Sequence, residues 1–408
     1  MNVIDYFALD RLVASAFDFD VPLSSIPDLP LDIATFPFTS AAAWLLPGAD
    51  DYPDGANARF GDDAALKGPR FAPRADPLLG APDRAAVENA RFRCAVLVPR
   101  GAPPARRAVA LLHGLNEKTW EKYYAWGARL ALDLRRPVVL FPIAFHMNRT
   151  PAQWNSPRAM NAVAKERRAL SPTLAAGSFA NAAISVRLQA IPQRFFFSCM
   201  ETVHDLRAFA ALVRAGGVPG LAADCALDFF AYSVGAFLAE TLLLGDEARV
   251  FGAARALLFC GGATFDLMDP VSKFILDGDA YRALRTLLVD RFPEEARRDP
   301  LIARHFAEGD PAADAFASLL AHDRGAEERA ARLAALRGRL AAIALEGDVV
   351  APPDGVRRTL LPAGLPVETL VPAYAARHEA PFPREGEDPA AVQTAFDALF
   401  ARAAEFLA

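Results

Sequence analysis

From residue 108 onward, the chain alternates short apolar runs with stretches in which apolar residues recur every three or four positions. The six runs are Ala108–Leu112, Val138–Phe141, Leu227–Ala231, Ala256–Cys260, Leu340–Leu345 and Val367–Val371. Their nearly continuous apolar character is typical of strands covered on both faces, although the last run is mixed enough for an edge strand. Strands separated by amphipathic helices predict the α/β class, with a mostly parallel sheet and helices on both faces.

Local signals place the ends of three helices. An apolar stripe that begins at Trp120 predicts a helix ending before Pro137. Ser198 and Glu201 have the spacing of a capping box, so we expect a helix to start at Ser198 and to stop at Gly216-Gly217. Asp388 followed by Pro389 predicts the start of the last helix.

Two connections are much longer than ordinary loops, and the region before the first apolar run differs in composition. We therefore predict an α/β domain over residues 91–408 with insertions at about 142–197 and 261–339, the second being a helical lid. Residues 1–90 are expected to form a Pro-rich covering segment, irregular from Val21 to Pro104. Arg91–Val98 alternates like a strand near a sheet edge.

Composition excludes several classes of protein. The 408 residues carry a net charge of −5, which has the wrong sign for a dedicated nucleic-acid binder. The four cysteines form no CxxC pair, which argues against a zinc site and a disulfide framework and favours a reducing compartment. The uncharged stretch Ala169–Val186 contains too many polar residues for a membrane span, and the N-terminus has no basic region of a signal peptide, so a cytoplasmic location is expected.

Motifs for cofactors are also missing from the sequence. There is no phosphate-binding glycine loop, no G-x-G-x-x-G after a strand and no HExxH. We expect no nucleotide cofactor and no metal, whereas the oligomeric state is not predicted.

The sharpest chemical signal is Ala231-Tyr232-Ser233-Val234-Gly235. An apolar run leads directly into Ser233 and a helix follows directly, so the turn would present the serine at the carboxyl edge of the sheet. The pattern approximates G-x-S-x-G, with Ala231 in place of the first glycine. A serine that merely caps a helix after a strand is the competing interpretation.

A serine nucleophile needs a base, and the base needs an orienting group. Of six histidines, His378 alone follows the last core strand; His204 precedes the serine strand, and His305 and His322 fall in the helical insertion. Loops at the carboxyl ends of strands present the chemistry of such sheets, which favours His378, although a plain solvated loop histidine is an alternative.

The orienting acid should leave a strand between the serine and the histidine. Asp348 fits, because the run Leu340–Leu345 turns out of the sheet through Glu346-Gly347-Asp348. Asp266, after the fourth run, is the rival, and Glu346 is expected to point along the strand.

The oxyanion formed on attack requires fixed backbone donors. The N–H of Val234 at the helix start is one candidate, and the N–H of Leu115, after His113-Gly114, is the other. His113 itself is expected to be a hydrogen-bonded structural residue.

Together, Leu111-Leu112-His113-Gly114-Leu115, Ala231-Tyr232-Ser233-Val234-Gly235, Gly347-Asp348 and His378 make the chain resemble the α/β-hydrolase superfamily from about Arg91 to Ala408. The resemblance implies Ser233 as nucleophile, His378 as base and Asp348 as its orienting acid. The missing first glycine departs from the pattern.

The insertions hold candidate substrate contacts. His146 and Arg149, with Trp154, Arg158 and Arg187, are suited to an anionic or polar part of a substrate, or to tying a long loop together. Tyr232, beside the serine, is a further candidate contact. In the lid, Phe265, Leu267, Met268, Phe274 and Ile275 are candidates for an acyl pocket or for plain packing.

These observations support the hypothesis of a serine hydrolase that cleaves an ester, thioester or amide of a small acyl substrate through an acyl-enzyme. Two other functions fit the same fold: a non-catalytic protein that binds a ligand or partner under the lid, and an enzyme of different chemistry such as C–C bond hydrolysis.

Overall fold

A nine-stranded sheet forms the centre of the computed structural model, which describes residues 5–52, 81–170 and 174–408. The strands in chain order are β1 (Leu23–Ser25), β2 (Leu31–Thr39), β3 (Arg91–Pro99), β4 (Ala105–Leu112), β5 (Val138–Leu140), β6 (Leu221–Tyr232), β7 (Ala256–Phe259), β8 (Leu340–Leu345) and β9 (Val367–Leu370). Their spatial order is β1-β2-β3-β5-β4-β6-β7-β8-β9. The six strands from β5 to β9 in that order are parallel, and β1, β2 and β3 are antiparallel.

Helices follow most of the parallel strands. In chain order they are α1 (Tyr6–Ala16), α2 (Val87–Ala90), α3 (Tyr124–Leu134), α4 (Pro157–Leu170), α5 (Ala182–Ala190), α6 (Arg194–Arg214), α7 (Val234–Leu244), α8 (Gly278–Arg285), α9 (Phe292–Arg298), α10 (Pro300–Ala307), α11 (Pro311–Ser318), α12 (Ala326–Ala334), α13 (Pro353–Leu360) and α14 (Pro389–Leu407). A π-helical stretch, Thr286–Arg291, joins α8 to α9. The α/β-hydrolase-like class with a helical insertion is thus confirmed.

Two apolar cores lie on the two faces of the sheet. Helices α1, α3 and α14 cover one face, where Trp126 is fully buried against Phe230 and Phe400. Helices α6, α7 and α11 cover the other, where Phe237 packs on Phe195 and Phe316. Burial on both faces explains why the central strands read as continuous apolar runs.

The N-terminal helix is connected to the far end of the chain. The Tyr6 hydroxyl donates to the Phe382 carbonyl at 2.9 Å, and the Tyr6 N–H donates to Gln393 Oε1 at 2.6 Å. Helix α1 therefore holds both α14 and the loop that follows β9.

All six predicted runs are strands, but the N-terminal expectation is wrong in part. Leu31–Thr39 is a nine-residue strand paired along its whole length with β3, so β3 lies inside the sheet and not near its edge. Pairing partners far along the chain, rather than local composition, fix this strand. Residues 53–80 of the predicted irregular segment lie outside the described residues, and the division at residue 90 stays a prediction.

The predicted start of α6 is also wrong. The helix begins at Arg194, so Ser198 lies inside it, and the Glu201 carboxylate bonds to other buried groups. A capping-box spacing within a helix carries no cap when the preceding turn is already helical. Among the described residues, no helix is both long and apolar enough to cross a membrane; residues 171–173 of Ala169–Val186 lie outside them.

Candidate active site

The turn between β6 and α7 places Ser233 at the carboxyl edge of the sheet. Ser233 has φ 58° and ψ −121°, a conformation that is unfavourable for a residue with a side chain. Its N–H donates to the Phe259 carbonyl at 3.0 Å, which anchors the turn to β7. The strain is held by the surrounding sheet, as expected for a side chain that must project from a sharp strand-to-helix turn.

Small residues allow this turn to pack tightly. A Cβ on Gly235 would lie 2.6 Å from the Leu112 carbonyl oxygen, and one on Gly261 would lie 2.4 Å from the Ala236 Cβ. The position of the usual first glycine holds Ala231, which is completely buried. The glycine required by close approach is therefore the second one, and the structure accommodates the alanine.

His378 lies opposite the serine. Its Nε2 is 2.7 Å from Ser233 Oγ. The Tyr232 ring stacks on the imidazole at 5.5 Å between centroids, and the Tyr232 hydroxyl donates to the His378 carbonyl. The residue next to the serine thus positions the loop that carries the histidine.

Asp348 completes a hydrogen-bonded chain. Its Oδ2 is 2.7 Å from His378 Nδ1, and its Oδ1 accepts from the N–H groups of Val350 at 2.8 Å and Ala351 at 3.0 Å. Gly347, with φ +75°, makes the turn that carries the aspartate out of β8. Both carboxylate oxygens are therefore fixed, and the acid holds the ring nitrogen that faces away from the serine.

Cys260 is a neighbour that the sequence reasoning missed. Cys260, Asp348 and His378 each place one possible metal-ligand atom within 4.8 Å of the others. Burial raises the pKa of the Cys260 thiol well above its usual range, so the sulfur is a neutral hydrogen-bonding group. Since the aspartate and histidine are already bonded to each other, the cluster fits a proton-transfer chain better than a metal centre. The sequence signal that could have identified Cys260 is its position directly after β7, at the carboxyl edge of the sheet.

The rival residues lie elsewhere. The two oxygens of Asp266 accept from the Thr264 hydroxyl at 2.7 Å and the His322 N–H at 2.9 Å, so this acid does not orient His378. Glu346 is exposed. His204 and His305 both face Asp310, at 3.6 Å and 3.1 Å.

The two predicted oxyanion donors border the serine. Val234 is the first residue of α7, and Leu115 follows a turn at Gly114 where a Cβ would lie 2.9 Å from the Tyr232 ring. Among the described residues, neither N–H has a hydrogen-bond acceptor. Their catalytic use stays a prediction.

His113 holds the loop that carries Leu115 in place. Its Nε2 accepts from the Ile143 N–H at 2.9 Å, and its Nδ1 faces the Gly114 carbonyl at 2.9 Å. Burial keeps its pKa well below the usual value, so the ring is neutral. The expected structural, hydrogen-bonded histidine is confirmed.

An open cleft of about 400 Å³ lies above the serine. Ser233, His378 and Tyr232 line it together with the loop Gly114–Lys118, Phe274 and Ile275 of the helical insertion, and Arg377. Of the proposed acyl-pocket residues, Phe274 and Ile275 thus reach the cleft, whereas Phe265 packs in the core against Phe195.

The three predicted substrate contacts, Arg149, Tyr232 and His146, have different surroundings in the structure. Arg149 was expected to contact substrate, and this is corrected. Its side chain is wholly buried and pairs with Glu201 at 3.0 Å and Asp205 at 2.9 Å, so it balances the charge of two buried acids and is not available to a substrate. Tyr232 is 1% exposed and its hydroxyl is used by His378. His146 lines a cavity behind Leu115, where its contact with substrate stays a prediction.

The model of a family described as "Family of unknown function (DUF6051)" matches residues 1–408. No curated protein matches the chain in sequence. Solved structures with a similar chain trace include carboxyl esterase 2 (TmelEST2) of the mycorrhizal fungus Tuber melanosporum, which is 10% identical with a TM-score of 0.42 over 78% of this chain and 82% of that one. Esterase Est22 is 13% identical with a TM-score of 0.44 over 98% and 87%, and esterase LipW of Mycobacterium marinum is 16% identical with 0.36 over 78% and 77%.

Proposed function

This chain belongs to the DUF6051 family of unknown function, and we propose that it is a serine hydrolase that cleaves a carboxylic ester through an acyl-enzyme. The observation that carries the proposal is the unbroken chain of hydrogen bonds from Ser233 Oγ through His378 to Asp348, with two distances of 2.7 Å. The serine end of these hydrogen bonds lines an open cleft, where a substrate carbonyl has access to Ser233 Oγ.

The proposed reaction starts with attack of Ser233 Oγ on the ester carbonyl. His378 Nε2 takes the hydroxyl proton, while Asp348 keeps Nδ1 protonated and stabilises the imidazolium. The N–H groups of Leu115 and Val234 stabilise the oxyanion. The carbon–oxygen bond to the alcohol then breaks, and the alcohol leaves with the proton from His378.

Water completes the cycle. His378 removes a proton from a water molecule that attacks the acyl carbon, and the second tetrahedral intermediate releases the carboxylic acid as the proton returns to Ser233 Oγ. Esters require less help for the leaving group than amides, so ester cleavage is the favoured subclass, with thioesters and amides as further substrates of the same machinery.

Labelling with a fluorophosphonate, followed by mass spectrometry of the peptide that contains Ser233, tests the proposal. We expect an adduct on Ser233, none in Ser233→Ala, and turnover of p-nitrophenyl esters reduced by several orders of magnitude in that variant. Ser15→Ala, an exposed serine on α1, is the control. Wild-type hydrolysis by Ser233→Ala contradicts the proposal, and a folded protein that neither labels nor turns over esters supports a non-catalytic ligand-binding protein.

A further inference from the structure

Two small chambers border the loop that carries Leu115, which also lines the open cleft. The first, here called the apolar chamber, has a volume of about 40 Å³ and is lined by Leu115, Ile143, Phe195, Val234, Phe237 and Leu238, together with His146, Ser198 and Cys199. The second, the cationic chamber, has about 70 Å³ and shares Leu115, His146, Phe195 and Ser198 with the first. Each volume is several times the roughly 10–15 Å³ that one water molecule needs.

Leu115 and Val234 place the apolar chamber next to the proposed oxyanion site. Leu115 to Lys118 also line the open cleft, so a single loop separates cleft and chambers. Ser233 lines the cleft but neither chamber, so an acyl group on Ser233 would have to pass Leu115 or Val234 to reach the apolar chamber, with the cationic chamber adjoining it.

The cationic chamber holds more positive than negative charge. Lys118, Arg187 and Arg194 line it, and Arg187 and Arg194 both donate to one oxygen of Asp83. Glu117, the acid in the lining, pairs with Lys122. One carboxylate therefore serves two guanidinium groups.

Among the three cations that line the chamber, Lys118 has the fewest negatively charged neighbours. Its Nζ donates to the Trp154 carbonyl at 3.0 Å, and among the described residues no carboxylate lies within ion-pair distance. Burial lowers the pKa of Lys118 to about 8, so it is still largely protonated at neutral pH. A partly buried cation without a carboxylate gains stability when an anion binds beside it.

The same chamber has polar atoms without partners. His146 is 6% exposed; its Nδ1 bonds to the Ala144 carbonyl at 2.8 Å, and its Nε2 has no partner among the described residues. The Trp154 Nε1–H likewise lacks an acceptor there. Buried polar atoms are normally satisfied, so these point to a polar ligand or bound water in the chamber.

On the basis of the proposed function, we propose that the acyl group of the substrate is short and ends in a carboxylate that binds Lys118 and Arg187. The substrate class is thus a half-ester or half-thioester of a dicarboxylic acid. Its methylene groups occupy the apolar chamber and its free carboxylate neutralises the cationic one. A simple fatty acyl chain would leave the partly buried charge of Lys118 without an anionic partner.

The test compares mono-p-nitrophenyl glutarate with p-nitrophenyl 5-methylhexanoate, in which an isopropyl group replaces the carboxylate. We expect kcat/KM to favour the anionic ester in the wild type. Lys118→Met should reduce kcat/KM for the anionic ester by about tenfold to a hundredfold, the range for a lost charge-assisted hydrogen bond, and change that for the neutral ester by less than about threefold. Lys118→Arg should retain the preference, and Lys165→Met, an exposed lysine of α4, is the matched control.

A wild-type preference for the neutral ester, or an equal loss for both esters in folded Lys118→Met, overturns the inference while leaving the serine hydrolase intact. Binding of glutarate, measured by thermal shift, decides the case in which neither ester is cleaved. Stabilisation of the wild type and Ser233→Ala but not of Lys118→Met then supports the anion site independently of catalysis. Equal or absent stabilisation in all three variants rejects it.

Discussion

The serine–histidine–aspartate chain and the Arg149 cluster are both networks of buried titratable and charged side chains, but only the first opens to the surface. In the first, His378 and Asp348 are 4% and 3% exposed, and the hydrogen bonds end at a serine hydroxyl that lines the cleft. In the second, Arg149 lies between Glu201 and Asp205, and Asn89 donates to both oxygens of Glu201 at 2.9 Å. Arg149 lines neither the open cleft nor the apolar or cationic chamber.

This difference shows that residue type and sequence position are insufficient to identify a substrate site. Arg149 and His146 are three positions apart in one insertion. Arg149 is paired with buried acids, whereas His146 lines the cationic chamber. A charged side chain can act on a ligand when its polar atoms are not already used by its neighbours. Three substitutions test this distinction.

The largest expected effect is on catalysis by Asp348→Asn. The amide still accepts from Val350 and Ala351, but it favours the wrong tautomer of His378, so turnover should fall by about 10⁴-fold. Steady-state kinetics with a p-nitrophenyl ester measures the loss, and thermal unfolding should be nearly unchanged. A loss smaller than about tenfold in a folded variant would remove Asp348 from the mechanism.

The next effect is on stability. Arg149→Met leaves Glu201 and Asp205 buried side by side without their cation, which should cost about 3–5 kcal/mol in the free energy of unfolding. Denaturant unfolding measures it, with Arg158→Met, an exposed arginine of α4, as the control. The fraction that folds should keep wild-type kcat, and a stable variant with a raised KM would return Arg149 to the substrate site.

The smallest effect concerns Glu240, a buried acid on α7 with no hydrogen-bond partner among the described residues. Burial raises its pKa from 4.5 to about 8, so the native state binds more protons than the unfolded chain between these values. The contribution of Glu240 to the free energy of unfolding therefore falls with rising pH across this window, by about 1.4 kcal/mol per pH unit.

Glu240→Gln cannot ionise and should lose this pH dependence. Its free energy of unfolding relative to wild type should rise by about 2 kcal/mol between pH 5.5 and pH 7. Chemical denaturation at the two pH values measures the gap. A gap that stays constant would mean that Glu240 ionises in the folded protein as it does in the unfolded chain.

The sequence predicted the elements whose signals are local. Continuous apolar runs marked the six parallel strands, and the order of Ser233, Asp348 and His378 on their carboxyl ends predicted that the three would meet. Strand β2 was missed because its pairing with β3 joins segments more than fifty residues apart. The roles of Arg149 and Lys118 depend on which acids reach them in space, and neither composition nor spacing contains that information.

Helix α1 couples distant parts of the polypeptide. Tyr6 contacts both Phe382, four residues beyond the proposed base, and Gln393 of the last helix. The loop that carries His378 is thus held in part by a side chain 376 positions away from Phe382. A substitution at Tyr6 can therefore disturb the imidazole without any contact with substrate.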